Sequence, residues 1–417
     1  MGIPRKSALG QVAAFFASLR LNITLLFFAI VLVFFGTWAQ KDVGIWEVQQ
    51  HYFRSFITYY DFTSGGVVDE LTGDYIPKTV RFRLFMPGGY LIGGLLLINL
   101  IMAPIIHFKL SWKKLGIHLI HLGIVFLMLG ELFTGLTAVE SRMTINEGET
   151  VNFSEVSVPI KEELALVDVT DPTREKHYVA NRGMLKIGAS IPLADSGITA
   201  KIEDHYENAI VAMRANAPAG FAAPKATTGL GANFSYRPIN YNSREDGNPP
   251  NHPAALVTLT ETATQRELGT YFLSTSWTGA DVIQLGDRTF TLRLRPRRVY
   301  MPFSVTLDDF QFNRYPGSDI AKDFSSHVRI TTDEDREGQA HRIWMNHPLR
   351  TNGFTLFQHS FGQQETTTFL QVVENPVWSF PYIGTIVVSI GMLWQFGYSL
   401  NRFASKSSNR KSKATAA

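Results

Sequence analysis

Four apolar runs interrupt an otherwise polar chain. They cover 22–39, 90–108, 115–136 and 377–400. Each approaches the ~20 apolar residues that a helix needs to cross a hydrocarbon core. The pattern predicts four transmembrane helices, three near the N-terminus and one near the C-terminus. A cleaved signal peptide is the alternative for the first run. Its length and the poor cleavage site at Thr37-Trp-Ala39 argue against that.

The stretch between the third and fourth runs is patterned differently. Met143-Thr-Ile-Asn-Glu-Gly-Glu-Thr-Val-Asn-Phe153, Ala254-Ala-Leu-Val-Thr-Leu-Thr260, Thr289-Phe-Thr-Leu-Arg-Leu-Arg295 and Phe354-Thr-Leu-Phe-Gln-His-Ser360 alternate with the period of a strand. Helix-length amphipathic patterns are scarce there. The fold class is therefore membrane α plus β: four transmembrane helices with a large, mainly antiparallel β domain, a sandwich or paired sheets. The expected domains are a membrane region over 1–136, the β domain over 137–375, and a final span with a basic tail over 376–417. Residues 215–253, rich in Ala, Gly, Asn and Pro, read as a long loop with little core of its own.

Charge orients the spans. Arg5, Lys6 and Arg20 precede the first, Lys109, Lys113 and Lys114 lie between the second and third, and Arg402, Lys406, Arg410, Lys411 and Lys413 follow the fourth. In a four-span topology these segments share a side, which the positive-inside rule makes cytoplasmic. The β domain then lies on the extracytoplasmic side, and the expected location is the cell inner (cytoplasmic) membrane. Trp38, Trp378 and Trp394 fall where interfacial aromatic belts are expected. The net charge of +3 gives no reason to expect nucleic-acid binding.

The chain contains no cysteine. This excludes disulfides, thiolate metal sites and covalent attachment of c-type haem to this chain. Any haem would be held non-covalently, by His or Met. No nucleophile elbow, phosphate loop or zinc-protease motif appears.

The chemistry that stands out is inside the third run, where His118 and His121 lie in Leu115-Gly-Ile-His-Leu-Ile-His-Leu-Gly. Ionisable groups within a span are costly and mark functional sites by default. Three residues apart, they are neighbours on one helix face and poorly placed to take opposite sides of one iron. His121, deeper from the lysine loop, is the better buried ligand, with an opposite number from another helix or chain. Hydrogen bonding to a neighbouring helix is the other reading, and residue chemistry leaves both open. His107, at the end of the second run, is expected at the interface. Glu131 stands alone among the spans as an acid, which counts against an ion path. His51, His177, His205, His252, His327, His341, His347 and His359 are scattered and read as surface or turn residues; His347 and His359, in the segment leading to the fourth run, are the most interesting.

Several short motifs, each weak alone, occur in an informative order. They are Ala17-Ser-Leu-Arg-Leu21, Gly36-Thr-Trp-Ala-Gln40, His121-Leu-Gly-Ile-Val-Phe-Leu-Met-Leu-Gly130, Tyr315-Pro-Gly-Ser318 with Asp323-Phe-Ser-Ser326, Asn346-His-Pro-Leu-Arg350 with Gly353-Phe-Thr-Leu-Phe-Gln358, and Asn375-Pro376 before Gly384 and Gly391. With the topology, they resemble the ResB-like proteins of System II cytochrome c maturation. The resemblance implies a membrane subunit of a cytochrome c synthase, working with a multi-span haem-handling membrane protein and presenting haem to apocytochrome c. It implies transiently held haem b and places the family's haem-associated histidine at His121; for His118 it gives no comparable support. The chain would be at most one subunit of the ligation complex. It lacks the partner's tryptophan-rich motif, and residue 347 is His where an acidic or polar residue is expected. A non-haem assembly factor that scaffolds a membrane complex is the alternative. A b-type electron carrier is disfavoured, since the first and fourth runs hold no histidine.

Overall fold

The computed structural model describes residues 8–41, 44–64, 67–68, 75–76, 79–107, 111–156, 161–239, 251–317, 321–362 and 366–415. Arg5, Lys6, Lys109, Ser318 and all of the proline- and asparagine-rich 240–250 stretch, including Asn248, lie outside them. The chain forms two units, one of Met1–Ala138 with Asn375–Ala417, the other of Val139–Glu374.

The first unit contains helices α1 (Ala8–Phe16), α2 (Leu19–Ala39), α3 (Ile45–Val48), α4 (Gly89–His107), α5 (Leu115–Thr137) and α6 (Phe380–Thr415). Among the described residues, α2, α4, α5 and α6 are long and apolar enough to cross a membrane. The first span starts earlier than its apolar run because Ser18 caps it, its hydroxyl accepting from the Leu21 N–H at 3.2 Å. The last begins at Phe380; before it, the Asn375 side chain accepts from the Val377 N–H at 3.0 Å and donates to Thr134 Oγ1 at 3.1 Å.

Helices α5 and α6 form the tightest pair of this unit. Gly116, Gly123 and Gly130 recur every seventh residue on α5, as Gly384 and Gly391 do on α6. A Cβ on Gly123 would lie 2.6 Å from Val388 Cγ2 and 2.8 Å from Gly384 O. One on Gly116 would lie 2.7 Å from Gly391 O, and one on Gly391 2.8 Å from Gly116 O. Only glycine permits this approach, and dispersion between touching backbones replaces the hydrophobic drive that helices lack in lipid. At the lysine-loop end, Trp112 and Trp394 stack at 5.6 Å, and the Trp394 indole donates to Trp112 O at 3.0 Å.

A polar knot joins α1, α2 and α4. Asn99, buried in α4, donates to Phe16 O at 2.5 Å and Ser18 O at 3.1 Å and accepts from Asn22 Nδ2 at 3.0 Å. It thereby satisfies carbonyls exposed at the α1–α2 break. At the other end of α2 and α4, strands Ile57–Ser64 and Thr79–Pro87 pair antiparallel, with Tyr60 and Phe62 against Phe35 of α2.

The second unit is almost entirely antiparallel β. Two four-stranded sheets face each other. One orders Asp281–Leu285, Arg288–Pro296, Glu162–Asp168 and Lys176–Asn181; the other Glu267–Ser274, Ala254–Glu261, Ile198–Tyr206 and Ser190–Pro192. Leu164, Leu166, Phe290, Leu292, Ile202 and Leu259, all 0% exposed, fill the space between them. Each contributes about 1.5–3 kcal/mol. Between the two sheets, buried Glu162 accepts from His205 at 2.8 Å, while on the outer face Glu163 pairs with Arg295 at 2.9 Å. Removing one partner of such a pair would strand a buried charge.

An eight-stranded sheet completes the unit, in the order Gln339–Trp344, Ala321–Thr331, Arg298–Arg314, Thr150–Glu155, Val139–Asn146, Thr367–Glu374, Phe354–Phe361 and Leu349–Thr351. Its two edge strands are consecutive in sequence and meet at the Trp344–His347 bridge, so the sheet curls around one core that includes Ile145, Val305, Leu307, Ile343 and Leu356. Two expectations change in detail. The alternation of 143–153 is broken by Gly148, whose φ of +79° turns the chain between two strands. Part of 215–253 is not loop: Phe234–Pro238 pairs with Ala209–Met213, and Phe234 stacks on Trp277 at 4.8 Å. Asp281 anchors the preceding turn by accepting from the Leu230 N–H at 2.6 Å.

Gly123→Val should destabilise the helix pair by about 1–3 kcal/mol, the usual cost of overpacking. Gly94→Val, where a Cβ meets nothing within 4 Å, is the control. Equal melting temperatures for the two variants in detergent would refute the seam. A second expectation concerns pH. Burial holds His177 and His252 below the ordinary imidazole value of 6.5, with Arg295 adding to the effect at His177. The unfolded chain therefore binds more protons, and stability is lost as pH falls below 6.5 towards the folded values. Urea midpoints should drop between about pH 7.5 and about pH 5.5, and His177→Gln should flatten that drop.

Candidate functional site

The α5 seam decides where the histidines point. At about 100° per residue, His118 and His121 lie roughly 140–160° around the helix from the glycines. Both are therefore on the side of α5 away from α6, and both are partly buried. Leu122 and Ile117, beside them, are exposed, so this side can receive another helix or an apolar ligand.

His121 is held by its own helix. Its Nδ1 lies 2.8 Å from the Ile117 carbonyl oxygen. A carbonyl only accepts, so Nδ1 carries a proton, and in the neutral ring the lone pair is then on Nε2. This is the tautomer of a metal-ligating imidazole, its ring oriented by a hydrogen bond from the other nitrogen. The donor set fits one axial position of a haem iron. His118 lies one turn nearer the lysine loop on the same side and cannot complete the same iron from the opposite face. Glu131 is exposed and makes no ion pair among the described residues, so no acid joins the histidines.

The other histidines divide by environment. His205 reaches from one sheet of the sandwich to Glu162 of the other, and His177 is on the charged outer face, 3.1 Å from Glu175 and 3.3 Å from Arg295. His347 closes the turn between the edge strands of the curled sheet. Its ring stacks on Trp344 at 4.2 Å, and its Nδ1 lies 3.0 Å from Met345 O. His359 lies 3.0 Å from Ser360 Oγ. Among the described residues, no group of three or more His, Asp or Glu side chains could hold a metal ion.

Parts of the β-unit motifs are turn and core positions. Asn352 and Gly353 both adopt positive φ, the conformation of a two-residue hairpin turn, between paired Thr351 and Phe354. Ser326 donates to Gln358 at 2.7 Å, and both hydrogen-bond Thr368, so two motifs distant in sequence meet in one buried network. Sequence reasoning did not single out Asn99. Its signal was a lone amide in the apolar second run.

Comparison with known proteins bears on this unit. The ResB-like family matches residues 242–376. Protein NrfI of Wolinella succinogenes is 29% identical over 123 residues, 30% of this chain and 14% of NrfI. The chain therefore matches only a small part of that relative's length. Both findings support the resemblance to the ResB-like cytochrome c maturation family. The matched stretch contains the motifs around Tyr315, Asp323, Asn346, Gly353 and Asn375; those at Ala17, Gly36 and His121 precede it.

Proposed function

We propose that this chain is a membrane subunit of a cytochrome c synthase, assisting haem transfer across the membrane and its presentation to apocytochrome c. The observation that carries the reading is the Nδ1 contact of His121 with Ile117 O, which leaves Nε2 free to ligate iron on the open side of α5. His121 would hold haem b transiently and non-covalently, with His118 beside it. A further ligand would come from the multi-span haem-handling partner. When bound, haem supplies an iron that accepts one imidazole and vinyl groups that the client's cysteines attack; this chain has no cysteine of its own.

The basic segments flanking the spans support a cytoplasmic lysine loop and an extracytoplasmic β domain in the cell inner membrane. The β domain would hold the apocytochrome or the partner. One observation favours the scaffold reading instead: within the matched stretch, Asn352 and Gly353 form a turn, and Ser326 and Gln358 share a packed hydrogen-bond network.

The two readings separate in a visible spectrum of the purified chain, alone and with its partner. On the synthase reading, His121→Ala loses most of the Soret absorbance per protein, or shifts its position, while the melting temperature holds. A wild-type preparation without haem, or a variant spectrum identical to it, supports the scaffold.

A further inference from the structure

A second imidazole of the membrane unit is presented in a comparable way, at the opposite end of α5. His51 lies in a π-helical turn, Gln49–Phe53, between α2 and α4. Such turns are rare and cluster at functional sites. Its Nδ1 is 2.9 Å from the hydroxyl of Thr58, which is only 1% exposed. The ring is wedged edge-on against Tyr59, with centroids 4.7 Å apart at 89°. Its Nε2 makes no hydrogen bond among the described residues and is not among their sealed, unsatisfied atoms. The ring is thus fixed, with one nitrogen committed and the other presented.

The surroundings narrow what it could ligate. A lone imidazole holds a free metal ion poorly, and no three-ligand cluster exists among the described residues. A porphyrin supplies four of its iron's ligands and needs only an axial one from the protein. It also needs apolar surface and cations for two propionates. Phe56, Ile57 and Phe85 are 66%, 71% and 65% exposed. Two guanidiniums are placed here: Arg83, over the Tyr59 ring at 4.0 Å and paired with Asp61, and Arg54, over Trp46 at 5.6 Å. Arg54 makes no ion pair among the described residues, and a Cβ on Gly135 would lie 3.8 Å from its Nε. That contact puts Arg54 beside the end of α5 remote from the lysine loop, about 21 Å along the helix from His121.

We propose that His51, with Arg54, Arg83, Phe56, Ile57 and Phe85, forms a second haem-contact site, in which His51 Nε2 is an axial ligand and the arginines receive the propionates. The proposal rests on the haem reading of the previous subsection and adds a receiving station at the far end of the same helix.

The test is titration of hemin into the full chain in lipid nanodiscs, read by Soret absorbance and haem stoichiometry. Wild type, His51→Ala, His121→Ala and the double variant are compared. Wild type should bind in two phases. His51→Ala should lose one phase, its dissociation constant rising at least tenfold, and His121→Ala the other. For His51→Gly, added imidazole should restore the lost phase, which a purely structural histidine would not show. If His51→Ala binds like wild type while His121→Ala fails, the second site is wrong and the haem reading stands. If loss follows His51 alone, the second site stands and the role of His121 is wrong. No binding by wild type overturns both.

Discussion

The contact on which the membrane unit depends is backbone against backbone, where α5 meets α6. Glycines at every seventh position let Gly116 approach Gly391 and Gly123 approach Gly384 closely enough to exclude any side chain. That approach fixes the rotation of α5 about its axis, because only one face of the helix is smooth enough to form it. His118 and His121 then point elsewhere by geometry alone. A helix that packed through its large residues could place the histidines inside the pair, where they would serve packing. Here the glycines do the packing against α6, and His118 and His121 lie on the other side of the helix. The ligand reading of His121 thus follows from residues two and five positions away as much as from the histidine itself.

The same two chain segments pair again in the β unit. Beyond α5, Val139–Asn146 runs as a strand; ahead of α6, Thr367–Glu374 runs antiparallel to it, with Val139 opposite Glu374. The segments that lie together as helices in one unit lie together as strands in the other. Asn375 sits at this changeover, its side chain hydrogen-bonded to Thr134 and to the first turn after Pro376.

Much of this was legible in the sequence, for reasons that can be named. The four spans were read because lipid demands long apolar runs, and the strands at 254–260, 289–295 and 354–360 because burial on one face demands alternation. What was not legible depended on contacts between distant residues. The even spacing of Met143, Ile145, Val151 and Phe153 reads as one strand, although the chain reverses at Glu147-Gly-Glu149 between them. Phe234–Pro238 lies in a stretch whose composition says loop, yet Trp277 and Phe272 supply a core for it. The meeting of Ser326 with Gln358 and Thr368 needs the curl of the whole sheet. Of the candidate site, the histidines were visible as costly residues in a span, but their direction was not, because it is set by α6, more than 250 residues later.

His51 illustrates the same limit from the other side. In the sequence it is one scattered histidine among eight outside the spans, preceded by two glutamines, with no periodicity to lift it above the rest. The π turn rotates the helix so that its ring meets Thr58 and Tyr59 of the following strand, and the pairing of Asp61 with Arg83 brings a cation over that same tyrosine. Each contact is ordinary. Together they give an imidazole with one nitrogen anchored, a cation at hand and exposed aromatic surface beside it, which is the set of features that holds a porphyrin and that a histidine meant only for packing would not collect. At His121 the anchor is a carbonyl of its own helix, and at His51 a hydroxyl from the next strand. In both cases the fold spends a hydrogen bond on orienting a ring whose other nitrogen it leaves available.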